Sequence, residues 1–357
     1  KETCTILLDE LQYIDYPTLW LKILVDRFPG WRIVVTGSAS IILKNKDRES
    51  GVGRWVEVPV PTLSFFENLL LREQEMDKAN VPSFSPDITP TTLEKISPSK
   101  QQEILSALSP FQNDLETFLL QGGFPETTLE PDTAVAQRLL REDIIDKVLK
   151  RDMPAFYGVR KLEELEKIFV YLCIHTGGTV EVTTIAKELG ISRPTAYSLL
   201  QALEGTYLVK PITAFEHSGK KVLKSKTKWY VVDASIRNAV LLRHLDLRLN
   251  PTEMGLVVET AVINQLATFA YPERAHIGYW KNKQEKEVDL IVGPAKSPPI
   301  AVEVKYREDV HLTEKEGIYS YLSKNTDAVG IVVTKQSRDI QTRQAHPKTG
   351  VGAKVTL

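Results

Sequence analysis

Apolar and polar positions follow several rhythms along the chain, and each rhythm predicts an element. At the front, "TILLDEL", "WRIVVTGS" and "RWVEVPV" are strand-like runs, with a helical pattern from Pro17 to Phe28 between the first two. This is the strand–helix–strand order of a parallel α/β sheet. From Met76 to Lys100 the periodicity fades into Pro, Ser and Thr, as in "NVPSFSPDITPTT", and a linker is expected. Two helical patterns follow, "KQQEILSALSPFQNDLETFLL" and "TAVAQRLLREDIIDKVLKRD", separated by the turn "QGGFPE".

A different logic runs through "VEVTTIAKELGISRPTAYSLLQALEGTYLVKPI". A helix reaches Leu189, Gly190 turns the chain, Ser192 caps a second helix, and "YLVKPI" reads as a strand. This is a winged helix-turn-helix pattern. The wing would be the hairpin "EHSGKKVLKSKTKWYVVD", where five lysines stand against one glutamate between Glu216 and Lys228. From Pro251 the pattern reads helix, strand, strand, strand, helix, strand, and no internal repeat is visible. The expected division is 1–75, linker 76–100, helical 101–165, winged helix 166–250 and an α/β domain 251–357.

The C-terminal hairpin "KEVDLIVGPAKSPPIAVEVKYRE" sets charges into apolar strands. Side chains alternate across a strand, so Val288, Leu290 and Val292 share one face while Glu287 and Asp289 share the other. In the return strand Glu303 and Lys305 lie together. A hairpin closing about Lys296 puts Asp289 opposite Glu303, and like charges directly opposed are destabilising. A Mg²⁺ ion would offset that repulsion, since it takes oxygen ligands from one or two carboxylates together with substrate phosphate. Lys305 would then orient water or stabilise phosphate charge, as metal-assisted phosphodiester hydrolysis requires. Glu259, on the preceding helix, is a further acid. The plainer alternative is a solvated face whose charges pair across the strands, Lys305 against Glu287.

Composition narrows the setting. A hydrophobic content of 42%, a charged content of 25% and a net charge of −1 exclude an overall basic nucleic-acid coat, so any DNA contact must be local. Cys4 and Cys173 are the two cysteines and have no metal-ligand spacing, which points to a reducing compartment and hence to the cytoplasm. No apolar run approaches membrane-spanning length, so no membrane partner is expected. His175, His217 and His244 are scattered and read as structural or solvated.

The order Glu259, Asp289, Glu303-Val304-Lys305 on helix, strand, strand resembles the PD-(D/E)XK superfamily of restriction-endonuclease-like nucleases, with "EVD" in place of "PD". At the front, "CTILLDELQ" resembles a Walker B strand, although a buried strand ending in solvated acids would read the same way. "RIVVTGSAS" resembles the next strand of an AAA-type ATPase, with Ser38 as polar sensor, and "GVGRWVEVPVPTLSFFEN" resembles the segment in which an arginine, here Arg54, precedes a "PLSF-E" turn. With "GGFPE" and the winged helix, nearly the whole chain resembles prokaryotic AAA-type ATP-binding proteins that carry a restriction-endonuclease-like end.

The resemblance implies an α/β multidomain protein with a partial AAA-type sheet, an α-helical and winged-helix middle, and a nuclease-like C-terminal domain. It implies ATP as ligand, with Asp9 holding Mg²⁺ and its water shell, Glu10 polarising the attacking water, and homo-oligomerisation. No G-x-x-x-x-G-K-[ST] occurs in the chain, so a preceding segment with the phosphate-binding loop is expected. Asp289, Glu303 and Lys305 would form a Mg²⁺-dependent nuclease site assisted by Glu259. DNA would meet Ser192, Arg193, Thr195, Tyr197 and Ser198 on the second helix, and Lys220, Lys221, Lys224 and Lys226 on the wing. Two alternatives are a non-catalytic, nucleotide-controlled DNA- or protein-binding switch with a degenerate nuclease fold, and a structural assembly subunit.

Overall fold

The computed structural model describes residues 4–37, 54–56, 58–72, 97–215, 226–243, 250–271, 274–293, 298–310, 312–313, 315–336, 342–344 and 354–356. They form a mixed α/β structure with helices and several sheets. At the front, β1 (Thr5–Leu8) pairs in parallel with β2 (Arg32–Val35), and α1 (Pro17–Arg27) connects them. "RWVEVPV" does not become the expected strand. Its described residues join no ladder, and Val56, Val58 and Val60 stand 85%, 75% and 93% exposed. Alternation alone does not make a strand where no neighbour accepts its hydrogen bonds.

The next helix, α2 (Phe65–Leu71), starts where its sequence dictates. Ser64 accepts the Glu67 N–H while the Glu67 carboxylate takes the Ser64 N–H, a reciprocal cap. Chain 98–121 forms α3 (Pro98–Leu108), a short 3₁₀ turn at Ser109–Phe111, and α4 (Gln112–Gln121), so the first helix begins inside the expected linker. After α5 (Thr133–Leu139) the helix widens into π-type turns at Leu140–Ile145 and Val148–Asp152. Together with α6 (Leu162–Ile174) these helices build a core of Leu140, Met153, Leu165, Ile168, Phe169 and Leu172.

Onto that core pack α7 (Val182–Glu188) and α8 (Arg193–Gly205). Gly190, at φ +66°, turns the chain between them, and Ser192 caps α8 by accepting the Thr195 N–H. A three-stranded antiparallel sheet of order β3 (Thr179–Val180), β5 (Thr227–Val231), β4 (Val209–Ile212) completes this part, with α9 (Ala234–Val240) after it. Then come α10 (Pro251–Ala270), β6 (His276–Lys281), β7 (Glu287–Gly293), β8 (Ile300–Lys305), α11 (Gly317–Leu322) and β9 (Val329–Thr334). With β10 (Thr342–Gln344) and β11 (Lys354–Thr356) the sheet order is β10-β11-β9-β8-β7-β6. β6, β7 and β8 run as an antiparallel meander, and β9 lies parallel to β8.

The parts are stitched together at backbone level. Past β4, Phe215 N–H donates to the Tyr279 carbonyl (2.7 Å) and Tyr279 N–H to that of Thr213 (3.0 Å), which brings the small sheet against β6. At the other side, Leu63 N–H donates to the Gly123 carbonyl (2.7 Å), and Gly123 N–H donates to the Asp233 carboxylate (2.9 Å). A Cβ at Gly123 would sit 2.3 Å from the Leu63 carbonyl, and one at Gly122 would sit 2.1 Å from Ser235 Oγ. Three distant segments therefore close on one point, and only glycine leaves room for them.

Candidate functional site

At the front, β1 delivers Asp9 and Glu10 to its C-terminal end, both exposed. Thr36, at the end of the adjacent β2, donates its hydroxyl to Asp9 Oδ1, and its Oγ1 accepts the Glu10 N–H at 3.2 Å. The polar group beside the acid pair is thus Thr36, one step past the strand end; Ser38 lies outside the described residues. Arg54 ion-pairs through its Nε with Asp26 of α1 at 3.0 Å. The resemblance would make Asp9 the acid that holds the water shell of a Mg²⁺–nucleotide, and here it is exposed at the strand end with Oδ1 accepting the Thr36 hydroxyl. No phosphate cradle of the G-x-x-x-x-G-K-[ST] kind stands in the chain to complete it.

In the C-terminal sheet the hairpin register is the expected one. Leu290 faces Val302, Ile291 faces Ala301 and Val292 faces Ile300, so the next position sets Asp289 across from Glu303. The surroundings differ from the expectation. The ladder gives way there, and Asp289 Oδ2 accepts the Val304 N–H at 2.8 Å. Glu303 is 4% exposed; its Oε1 lies 2.5 Å from Lys305 Nζ and its Oε2 accepts the Ile318 N–H at 3.1 Å. Lys305 also reaches Glu316, at 3.2 Å, and not Glu287, which removes the simple cross-strand pairing. This face is packed against α10 and α11 and is crossed by Lys228 of β5; Glu303 is buried, while Glu287, Asp289 and Lys305 keep 28%, 18% and 24% of their side chains exposed.

The larger departure is Lys228. Read as part of a phosphate-facing wing, it is a buried residue of β5, its side chain 3% exposed. Its ammonium ion-pairs with Glu287, lies 3.6 Å from Asp289 Oδ1 and 4.0 Å from Glu259 Oε1, and sits 5.7 Å from the Tyr279 ring centroid. Tyr230 donates its hydroxyl to Glu259 at 2.8 Å. Burial and the neighbouring Asp289 charge push Glu259 up to about 7 against the pull of Lys228. Burial works against the Lys228 charge, yet Asp289, Glu259 and Glu287 outweigh it and hold its pKa above the ordinary lysine value. Burial also raises Glu303, opposed by Lys305.

This donor set does not fit Mg²⁺. Each oxygen of Asp289 and Glu303 faces a protein N–H or ammonium, and among the described residues no group of three His, Cys, Asp or Glu side chains is arranged to hold a metal. A hard divalent ion needs carboxylate oxygens free to point at one centre. The structure brings Glu259 and Asp289 together around Lys228, and Glu303 and Lys305 together beside them.

On α8, Arg193 and Tyr197 are exposed, Tyr197 by 54%, with its hydroxyl accepting from Gln201 at 2.9 Å. Thr195 and Ser198 line a cavity of about 1000 Å³ together with Arg160, Lys161 and Lys210. Lys220, Lys221 and Lys224 lie outside the described residues, as do His217 and His244, while Lys226 ion-pairs with Glu181 at 3.2 Å and is not a spare cation. Among the described residues no helix is long and apolar enough to cross a membrane.

Residues 1–69 match the family described as an AAA domain. The chain is similar to prokaryotic AAA-type ATPases. The matched segment is the one that carries Asp9, Glu10 and Thr36. Residues 112–249 and 254–349 each match a family described as a domain of unknown function, DUF8612 and DUF4143. An uncharacterized protein of Methanocaldococcus jannaschii is 26% identical over 82% of this chain and 59% of its own length. One from Haemophilus influenzae is 25% identical over 66% of this chain and 52% of its own, and one from Mycobacterium tuberculosis is 29% identical over 48% and 39%. The chain thus spans about half the length of these relatives, and no solved structure matches it.

Three residues central to these sites were missed from sequence: Thr36, Asp233 and Lys228. Only Lys228 left a signal of the kind used for Asp289, a charge directly before the apolar run "WYVV".

Proposed function

We propose that this chain is part of an AAA-type ATP-binding protein in which nucleotide state controls DNA binding, the C-terminal restriction-endonuclease-like domain serving as a non-catalytic scaffold. The carrying observation is the junction of Leu63, Gly123 and Asp233. The AAA-like segment ends in the "PTLSF" turn, and that turn is hydrogen-bonded to the "GGFPE" turn, which is bonded in turn to the cap of α9. The junction ties the end of the AAA-like segment to the cap of α9, and through it nucleotide state would reach the winged-helix region. Arg193 and Tyr197 on the open side of α8 would face the DNA, with Arg193 meeting phosphate or a base edge.

The test uses the protein that carries this chain together with a phosphate-binding loop. DNA affinity, measured by gel shift or fluorescence anisotropy, is expected to differ between ATP and ADP, and Arg193→Ala is expected to weaken binding in both states. Equal affinity in ATP and ADP, or no binding, would refute the reading. A second reading, Mg²⁺-dependent DNA cleavage by Asp289, Glu303 and Lys305, is favoured by the Asp289–Glu303 register and opposed by the protein donors on Asp289 Oδ2 and on both Glu303 oxygens. Cleavage that requires Mg²⁺ and disappears in Lys305→Ala would establish it in place of the first.

A further inference from the structure

Three carboxylates and one ammonium meet in the seam between the three-stranded sheet and the C-terminal sheet. The acids come from α10 (Glu259) and β7 (Glu287, Asp289), and the ammonium comes from β5. Around this centre the seam is held by hydrogen bonds. Asn264 of α10 donates to the Val231 carbonyl at 2.7 Å, Tyr279 of β6 donates to that of Lys226 at 2.7 Å, and the Thr176 and Thr260 hydroxyls lie 3.3 Å apart. A second cation, Lys281, reaches Glu287 from the outer side at 3.4 Å and is 30% exposed. Lys228 is the buried one.

An ammonium with three N–H donors within 4.0 Å of three carboxylates fills the space in which a divalent ion would have to gather their oxygens at roughly 2.0–2.1 Å for Mg²⁺. The two cations cannot share it. We infer that Lys228 is the resident cation of this acid cluster, standing where a metal ion would stand and turning the acids into the ionic lock that holds the three-stranded sheet on the C-terminal domain. The lock explains why acids are set into the hairpin at all. Asp289 and Glu287 are the receptor for a side chain that arrives from another sheet. It also explains why one lysine of a basic run is buried in β5, next to Trp229, Tyr230 and Val231. Removing one partner from a buried ion pair is strongly destabilising, because the remaining charges stay buried without compensation. Without Lys228, Asp289 and Glu259 lose their cation, while Glu287 keeps Lys281.

The inference does not depend on the ATP or DNA reading, and its test involves neither. Mn²⁺ serves as the probe. Paramagnetic resonance counts the ion bound to the wild-type chain and to Asp289→Asn, and the same count is expected for both. Mn²⁺ bound by the wild type and lost in Asp289→Asn would overturn the inference. Chemical unfolding then compares wild type, Lys228→Met and the double variant Lys228→Met/Glu287→Gln. The single variant is expected to unfold at clearly lower denaturant, or not to fold, and the double variant to recover part of the loss because it removes the pair together. Amide exchange in β5 is expected to accelerate in the double variant, with the AAA-like segment unchanged. A single variant as stable as wild type, or a double variant no better than the single, would overturn the lock.

Discussion

Asp233→Ala should unfasten the junction between the AAA-like segment and the rest of the chain. The carboxylate is 7% exposed and accepts three hydrogen bonds: Gly123 N–H at 2.9 Å, Ser235 N–H at 2.9 Å and the Ser235 hydroxyl at 2.8 Å. Losing the helix cap at Ser235 costs about 1 kcal/mol. Orphaning the buried Gly123 N–H adds about 1–3 kcal/mol, because no other acceptor can approach a turn already filled by Leu63 and Ser235. The Ser235 hydroxyl can rotate, so it adds little. The sum is about 3 kcal/mol, on the order of a 10 °C drop in Tm for a domain of this size. Urea unfolding gives the stability change, and hydrogen exchange reads the Gly123 amide directly. Asp233→Asn, which keeps one acceptor oxygen, should fall between. A loss under about 1 kcal/mol for the alanine variant, or an unchanged Gly123 exchange rate, would refute the reasoning.

Gly317→Ala should destabilise the C-terminal domain by more than about 3 kcal/mol in chemical unfolding, since its Cβ would lie 1.7 Å from the Glu287 carbonyl and α11 cannot start there without moving off β7. Glu259→Gln should change the pH profile. The folded pKa of Glu259 is raised to about 7, so its contribution is present below about pH 4.5 and lost as pH rises through 7, under the combined influence of Lys228, Tyr230, Asp289 and Glu287. The stability of the Gln variant relative to wild type should therefore climb over that window by up to about 3 kcal/mol, and a difference that is flat with pH would speak against it. Thiol titration should find Cys4 reactive in the native protein and Cys173, fully buried with its pKa pushed up by burial, reactive only after unfolding.

What the sequence determined by itself is local. The caps at Ser64 and Ser192 and the turn at Gly190 follow from residues a few positions apart, and the register that opposes Asp289 to Glu303 from two consecutive strands fourteen positions apart, where periodicity and turn chemistry act directly. The element order of the C-terminal part was legible for the same reason. "RWVEVPV" shows the limit of that reasoning, because a strand also needs a neighbour, and the alternating pattern does not say whether one arrives. Tertiary structure alone decided what the acids are for. Whether Asp289 faces a metal ion, water or an ammonium depends on which side chain β5 lays across the seam from some sixty residues earlier, and charge compensation over that distance leaves no period in the sequence. The same holds for Asp233, whose partner Gly123 is 110 residues away. Strand faces are written by neighbours in the chain, and counter-charges by neighbours in space.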